Sequence, residues 1–165
     1  MGNTERPRAS AYERLGGDDG VRALVETFYD IIEQEDHAHD LHMLHMRGFG
    51  VAHSREEQFN YLSGFFGGPQ RYVMKHGHAR LKEIHEHVPI GPEMRDLWLG
   101  CMGEAIARLR LEPDLAALLM RHLSAAAETA RNRDRWPKAA RLRLHRRRGR
   151  CYPTGGRRSQ PQTAR

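Results

Sequence analysis

Residues 67–102 read GGPQRYVMKHGHARLKEIHEHVPIGPEMRDLWLGCM, and the strongest helical pattern of the chain begins in this stretch. From residue 92 onward, through residue 109, the sequence predicts a long amphipathic helix, because apolar residues recur there at spacings of three and four. Pro92 lies where the first turn of such a helix accepts proline, which fixes φ and has no backbone donor to lose. The apolar stripe consists of Met94, Leu97, Trp98, Cys101, Met102, Ala105, Ile106 and Leu109. Upstream of it, residues 81–86 predict a short helix within a long connection.

Toward the N-terminus the sequence predicts a short turn of helix followed by a longer helix. The pair Gly16-Gly17 ends the turn at residues 12–15, since paired glycines break helices and permit positive φ. Asp18 or Asp19 can then cap the next helix. The apolar stripe of that helix is Val21, Leu24, Val25, Phe28 and Ile32.

Two further helices complete the pattern. Ser54 and Glu57 have the spacing of a capping box, which opens a helix that stops at residues 67–69. Residues 37–50 before it are irregular in pattern. Pro113 ends or restarts the helix that precedes it, and a last helix follows near the end of the domain. The apolar positions of these two helices are Phe59, Leu62, Phe65 and Phe66, then Leu115, Leu118, Leu119, Leu123 and Ala126. No stretch alternates with period two, so the sequence predicts an all-α fold.

Charge divides the chain into a domain and a tail. Residues 131–165 hold 13 Lys or Arg and one acidic residue, whereas the other 130 residues hold 14 basic and 20 acidic side chains. We interpret residues 1–11 as a loose N-terminal segment, residues 12–131 as one folded domain and residues 132–165 as a basic tail. Arg, Pro, Gly, Ser and Gln dominate the tail, and because this composition is typical of disorder, we expect the tail to be flexible.

Composition and cysteine usage argue against several classes of protein. No apolar run reaches the roughly 18 residues that a membrane-spanning helix needs, and the N-terminus has no apolar segment typical of a secretion signal. Cys101 lies in the long apolar stripe and Cys151 in the basic tail, so the two do not indicate a disulfide framework. We therefore expect a cytoplasmic protein without a membrane span.

Histidine is unusually frequent. The chain has 11 histidines, nine of them between His37 and His87. Neutral imidazole is a common ligand of transition metals, so the enrichment indicates metal or haem binding. The spacing argues against a structural zinc site, since the chain has no Cys-x-x-Cys and no His-Glu-x-x-His motif. For any single histidine, a solvated surface position is the alternative.

Three polar side chains accompany the apolar stripes. Tyr29 and Trp98 lie beside or within the stripes of two helices, and Gln58 shares a helix face with Leu62. Each has a donor that needs a partner when it is buried. They either pack in an ordinary core or converge on a site for a small polar ligand, and these residues alone leave both alternatives open.

The motifs of residues 12–131 resemble those of the truncated haemoglobins, or 2-on-2 globins, of group II. The shared motifs are Gly16-Gly17, Phe28-Tyr29, Gly67-Gly68-Pro69, Gly77-His78, Arg80-Leu81, His85, Pro89-Ile90-Gly91, Glu93, Arg95-Asp96, Trp98-Leu99 and Cys101-Met102. Their common order and spacing carry the resemblance, which covers most of the domain.

The resemblance implies a two-over-two sandwich of helices around haem b. By position, His85 corresponds to the proximal ligand of the haem iron. Trp98, Tyr29 and His45 correspond to the polar cluster on the other, distal side, and Gln58 faces that side as well. The residues that the resemblance places around the haem are Phe28, Phe59, Tyr61, Leu62, Leu81, Leu97 and Trp98.

The function implied by the resemblance is binding of O2, CO, NO or peroxide at a five-coordinate haem iron. Several donors around such a ligand favour ligand retention or redox chemistry over bulk oxygen transport. The redox chemistry would be NO dioxygenation or peroxidase-like turnover, and it requires a reductase that the sequence does not identify.

Two alternatives come from other classes of protein. The basic tail, with Arg146-Arg147-Arg148, predicts contacts with an anionic surface or nucleic acid, because phosphates attract clustered cations without base-specific contacts. No aromatic platform or recognition helix accompanies these charges. The other alternative is a haem-free helical sensor or zinc-binding protein, which metal analysis separates from a haem protein.

Overall fold

The structure, a computed structural model, describes residues 9–134. Within this range the chain forms eight α-helices, one 3-10 turn and no β-strand, so the all-α prediction is confirmed. The helices are α1 (Ala11–Leu15), α2 (Asp18–Gln34), α3 (His39–Arg47), α4 (Val51–Phe65), α5 (Arg71–His76), α6 (Leu81–Ile84), α7 (Pro92–Arg108) and α8 (Pro113–Ala130), and the 3-10 turn is Asp36–Ala38. The expectations for residues 1–8 and 135–165, including most of the basic tail, lie outside the described residues.

The three longest helices bury the stripes that the sequence predicts. The buried residues of these stripes are Val21, Leu24, Val25, Phe28 and Ile32 in α2, Met94, Cys101, Met102, Ala105 and Ile106 in α7, and Leu115, Leu119 and Leu123 in α8. Full burial of a large apolar side chain contributes about 1.5–3 kcal/mol, so these stripes supply a large part of the core. Among the helices of residues 9–134, none has both the length and the apolar character that crossing a membrane requires.

Two pairs of long helices form the architecture. α2 packs against α4 and against α7, and α7 packs against α8. The α2–α4 pair therefore lies on the α7–α8 pair, which is the two-over-two arrangement that the sequence implies. The short helices lie in the connections, where α3 contacts α4 and α7, α5 contacts α4, and α6 contacts α8.

The turn between α1 and α2 depends on two glycines, as predicted. Gly16 has a φ of 100° and ends α1 in the left-handed region, where a side chain would be strained. The predicted aspartate cap of α2 is wrong, because Gly17 occupies the N-cap position and no side chain caps the helix. The Asp18 carboxylate instead accepts hydrogen bonds from Tyr12 Oη at 2.8 Å and from Arg71 at 2.5 Å, which joins α1 and α2 to α5.

α4 begins three residues before its predicted capping box. Its first residue is Val51, preceded by Gly50 with a φ of 86°. Ser54 therefore lies in the first turn, and its Oγ donates to Gly50 O at 2.9 Å. The predicted capping box is wrong, since a capping serine must accept a hydrogen bond from a backbone N–H.

Two helices lie where the sequence pattern shows no clear period. α3 occupies most of residues 37–50 and buries only Leu41 and Leu44. Its other positions hold three histidines, two methionines, Asp40 and Arg47, so the helical period is too weak to recognise. α5 lies in the connection after α4 and buries none of its residues, which leaves no apolar stripe at all.

Alanine substitutions at Gly20 and Gly100 distinguish the effect of packing on stability from the effect of helix propensity. At Gly20 in α2, an added Cβ would lie 1.9 Å from Leu15 O, whereas at Gly100 in α7 nothing lies within 4 Å of it. We expect Gly20→Ala to lower the free energy of unfolding by about 1–3 kcal/mol. We expect Gly100→Ala to raise it by up to about 1 kcal/mol, because alanine has the higher helix propensity. Urea denaturation measures both, and a stabilised Gly20→Ala would show that the Leu15 contact does not constrain α2.

Candidate functional site

A cavity of about 530 Å³ lies between the two helix pairs. Its walls come from α2, α3, α4 and α5 on one side and from α6, α7 and α8 on the other. The apolar residues that line it are Leu41, Leu44, Phe49, Leu62, Phe65, Leu81, Ile84, Val88, Ile90, Met94, Leu123, Ala126, Ala127 and Ala130. A largely apolar cavity of several hundred Å³ with a few polar groups is typical of a site for a cofactor or small ligand.

His85 faces the cavity from the C-terminal end of α6. Its Nδ1 lies 2.8 Å from Leu81 O, and because a carbonyl oxygen only accepts, Nδ1 carries the proton and donates. Burial lowers the pKa of His85 below its ordinary value, so the ring is neutral at pH 7. A neutral ring protonated at Nδ1 has a free lone pair on Nε2, which can bind a metal ion.

Tyr29 and Gln58 form a buried polar pair in the other wall. Tyr29 of α2 is 1% exposed, and its Oη donates to Oε1 of Gln58 in α4 at 3.0 Å. Burial raises the pKa of Tyr29, so its hydroxyl stays protonated at neutral pH. Both residues line the cavity.

The amide nitrogen of Gln58, Nε2, is buried and has no hydrogen-bond partner among residues 9–134. Leaving a buried donor unpaired costs about 1–3 kcal/mol. A polar ligand in the cavity that accepts a hydrogen bond from Nε2 would recover that cost.

His45 of α3 lies beside Tyr29, with the two rings 5.4 Å apart and nearly perpendicular at 86°. Its Nδ1 donates to Leu41 O at 2.8 Å, as that of His85 does to Leu81 O. Burial lowers the pKa of His45. The cavity therefore contains a second neutral imidazole with a free Nε2.

Trp98 of α7 lines the cavity, whereas Phe28 of α2 lies behind it. The Phe28 ring is 5.4 Å from the Trp98 ring and 5.1 Å from the Tyr29 ring, edge-to-face in both cases. The sequence implied that Phe28 contacts the haem. The structure instead places it in the core, where it supports two side chains that do face the cavity.

Two other residues implied to line the cavity point elsewhere. Phe59 lies under the Arg22 guanidinium, 3.7 Å from ring centroid to Cζ, and Leu97 packs against the core outside the cavity lining. The physical reason is the helical period, because neighbouring residues lie about 100° apart and Gln58 and Trp98 already face the cavity. The remaining implied wall residues, Tyr61, Leu62 and Leu81, do line it.

The sequence missed a group of rings at the edge of the cavity. Phe49, 71% exposed, has its ring 5.1 Å from the rings of both His53 and His87. All three line the cavity. The two histidines belong to the enriched set, but nothing in their spacing distinguishes them, and Phe49 lies where the pattern is irregular.

The sequence also missed a carboxylate at the cavity wall. Glu57, with its side chain 14% exposed, accepts hydrogen bonds from Lys75 and from His76 Nε2. Burial alone would raise the pKa of Glu57, but these hydrogen bonds lower it, so the group is charged and paired. The Tyr72 ring lies 4.4 Å from the His76 ring, tilted at 37° to it, and both residues line the same wall. Lys75, His76 and Tyr72 lie on α5, which has no sequence signal of its own.

Comparison with known proteins identifies the family. The family model of the bacterial-like globins matches residues 10–137. The group 2 truncated hemoglobin YjbI of Bacillus subtilis is 30% identical over 116 residues, which cover 70% of this chain and 83% of that protein. The chain belongs to the bacterial-like globins, among the group II truncated haemoglobins.

Solved structures of truncated haemoglobins share the fold. The cold-adapted truncated hemoglobin of Pseudoalteromonas haloplanktis is 32% identical with a TM-score of 0.70, covering 76% of this chain and 99% of that one. The group II 2-on-2 hemoglobin of Agrobacterium tumefaciens is 32% identical with a TM-score of 0.71, covering 78% and 98%. The two-over-two globin fold is thus confirmed.

The cofactor of this truncated haemoglobin is haem b, and it serves to bind small gaseous ligands. The residues of the cavity fit that group. The walls are apolar, His85 offers a free Nε2, and the unpaired Nε2 of Gln58 lacks only an acceptor. The alternative of a haem-free sensor or zinc-binding protein is superseded by the family membership.

We expect burial of His45 to make the stability of the haem-free protein depend on pH. The folded state lowers the pKa of His45 below its ordinary 6.5, so below that pH the unfolded state binds more protons and the free energy of unfolding falls. One such group contributes a slope of at most about 1.4 kcal/mol per pH unit. His45→Phe should reduce the slope in urea denaturation between pH 5 and 6.5 (roughly the window set by the ordinary histidine value).

The matched control is His39→Phe, which changes an exposed histidine of the same helix. If both variants keep the slope of the unmodified protein, desolvation of His45 does not contribute to it.

Proposed function

We propose that His85 is the only protein ligand of the haem iron, and that the polar part of the cavity retains a diatomic ligand. The observation that carries the proposal is the buried Gln58 Nε2 without a partner, in the same cavity as the neutral His85 ring. A free ligating nitrogen and a free donor suit a ligand that binds iron at one end and accepts a hydrogen bond at the other.

The haem iron, when bound, supplies a coordination position for O2, CO or NO. The residues of the chain orient the groups around that position. Leu81 O holds the tautomer of His85 that leaves Nε2 free, and Tyr29 holds the Gln58 amide by its Oε1. The apolar walls keep water away from these groups, which strengthens each hydrogen bond inside the cavity.

The number of donors favours retention of the ligand. A hydrogen bond to a partly charged acceptor contributes about 1.5–3 kcal/mol, which corresponds to a roughly 10- to 100-fold slower loss of the ligand. Gln58 supplies one donor and Trp98 a second, with Tyr29 as support. Slow loss suits ligand storage or redox chemistry, NO dioxygenation or peroxidase-like turnover with an external reductase, better than bulk oxygen transport.

Absorption spectra of the haem-loaded protein test the role of His85. We expect a strong Soret band that shifts on reduction with dithionite and again with CO, and we expect His85→Ala to lose it, because no imidazole then reaches the iron from α6. His78→Ala, which changes a histidine just before α6, is the control and should keep the spectrum. A spectrum that does not depend on His85 would contradict the assignment.

The same spectra decide whether the iron is five-coordinate. His45 offers a second free nitrogen, and a low-spin ferrous spectrum that becomes high-spin in His45→Phe would show that His45 also binds iron. A high-spin ferrous spectrum in the unmodified protein supports five-coordination.

Gln58 is expected to slow the loss of O2. Gln58→Leu removes the buried donor while keeping a similar volume, so the O2 dissociation rate should rise roughly 10- to 100-fold. Stopped-flow mixing of the O2-loaded protein with dithionite measures the rate. Gln34→Leu, at the exposed end of α2, is the matched control and should leave it unchanged.

Trp98→Phe gives the comparison for the second donor. An unchanged O2 dissociation rate in this variant would remove Trp98 from the mechanism, and an unchanged rate in Gln58→Leu would remove Gln58.

The alternative function is contact with an anionic surface or nucleic acid through the basic tail. The charge of residues 131–165 favours it. Most of these residues lie outside the described range, so this function stays a prediction from the sequence. It is compatible with haem binding, because the two functions use different parts of the chain.

A further inference from the structure

The segment that carries His85 has little structure of its own. α6 has only four residues, and so short a helix is not stable alone because its first turn is costly to form. The next helix, α7, begins at Pro92, and residues 85–91 between them form no helix. Groups outside this segment therefore have to fix its backbone.

Asn132, two residues beyond the end of α8, binds this segment through its side chain. Its Nδ2 donates to His85 O and to Val88 O, each at 2.9 Å. Its Oδ1 accepts from the backbone N–H of Ile90 at 2.9 Å. Both amide hydrogens and the amide oxygen are thus used, and all three bonds end on the same short loop.

The backbone next to Asn132 continues the contact. The N–H groups of Asn132 and Arg133 both donate to Ile90 O at 3.0 Å. Both polar backbone groups of Ile90 are therefore paired with this part of the chain. Together, the bonds from residues 132 and 133 to residues 85–90 form an anchor for this loop. Ala130, the last residue of α8, lines the cavity, so the anchor begins two residues beyond the cavity wall.

We propose that Asn132 is the positioning residue that fixes the His85 backbone and thereby the approach of His85 Nε2 to the haem iron. This inference rests on the proposed role of His85 as the iron ligand. Leu81 O fixes the rotation and tautomer of the ring, whereas Asn132 fixes the carbonyl of the same residue. Together they leave the imidazole little freedom to move relative to α8.

The chemistry of the side chain makes asparagine difficult to replace. Alanine removes all three side-chain bonds and leaves the two backbone bonds. Aspartate has the same shape, but it places a carboxylate oxygen against His85 O and Val88 O, where two acceptors repel each other. Asn132→Asp should therefore disturb the loop at least as much as Asn132→Ala.

The experiment compares these two variants with the unmodified protein, all full-length and haem-loaded. Asn60→Ala is the matched control, since Asn60 is a partly buried asparagine of α4 outside the anchor. Haem release is followed by transfer to excess apomyoglobin, and resonance Raman spectroscopy of the ferrous protein gives the iron–histidine stretching band. We expect release to rise roughly 10- to 100-fold in both Asn132 variants, as for other groups that orient a metal ligand. The iron–histidine stretching band of both Asn132 variants should also shift or broaden.

The Raman band distinguishes positioning from general stability. If Asn132 only stabilised the fold, its substitution would lower the melting temperature but leave the iron–histidine band of the folded protein unchanged. Unchanged bands in Asn132→Ala and Asn132→Asp, or haem release equal to that of Asn60→Ala, overturn the proposal. An unmodified protein without a band that depends on His85 would instead contradict the proposed function.

Hydrogen exchange of the Ile90 amide tests the anchor without a variant and apart from the iron. Because this N–H donates to Asn132 Oδ1, we expect slow exchange in the unmodified protein. Exchange at the rate of an unprotected amide would show that the anchor does not form.

Discussion

α2 packs against α4 and also against α7, and this double contact determines where the polar groups of the cavity lie. Neighbouring residues of a helix are about 100° apart, so Phe28 enters the core against Trp98 while Tyr29 turns toward Gln58. One helix thus supplies both the core and the wall of the cavity. A movement of α2 relative to α4 would break the Tyr29–Gln58 hydrogen bond, and a movement relative to α7 would leave Trp98 without its support.

Haem binding and the polar groups of the cavity are linked energetically. Gln58 Nε2 has no partner among residues 9–134, which costs about 1–3 kcal/mol unless a bound group accepts its hydrogen bond. The buried stripes of α2, α7 and α8 supply the apolar core that offsets this cost. A cofactor that binds only the folded state stabilises it further by mass action. The fold and the cofactor therefore depend on each other energetically.

The sequence predicted the long helices and, through the resemblance, several residues that line the cavity, and it missed what depends on tertiary contacts. The stripe of α2 is visible because its buried residues recur at helical spacing, whereas α5 buries nothing and has no stripe. Ser54 has the spacing of a cap, yet Gly50 starts the helix earlier because its positive φ suits the turn. Because Gln58 and Trp98 face the cavity, the helical period turns their neighbours Phe59 and Leu97 away from it. Asn132 gives no sequence signal, since its three partners lie more than 40 positions away.

Because Asn132 anchors His85 from outside α6, the position of His85 depends on the α7–α8 pair. Asn132 extends from α8, α8 packs against α7, and α7 carries Trp98. His85, the proposed iron ligand, and Trp98, one proposed donor, are thus both held in place by the α7–α8 pair. Packed helices shift as rigid units more readily than they deform, so a displacement of the α7–α8 pair would carry His85 and Trp98 together. Gln58 and Tyr29 belong to the other pair, and the distance from His85 to these two groups is the one that such a displacement would change.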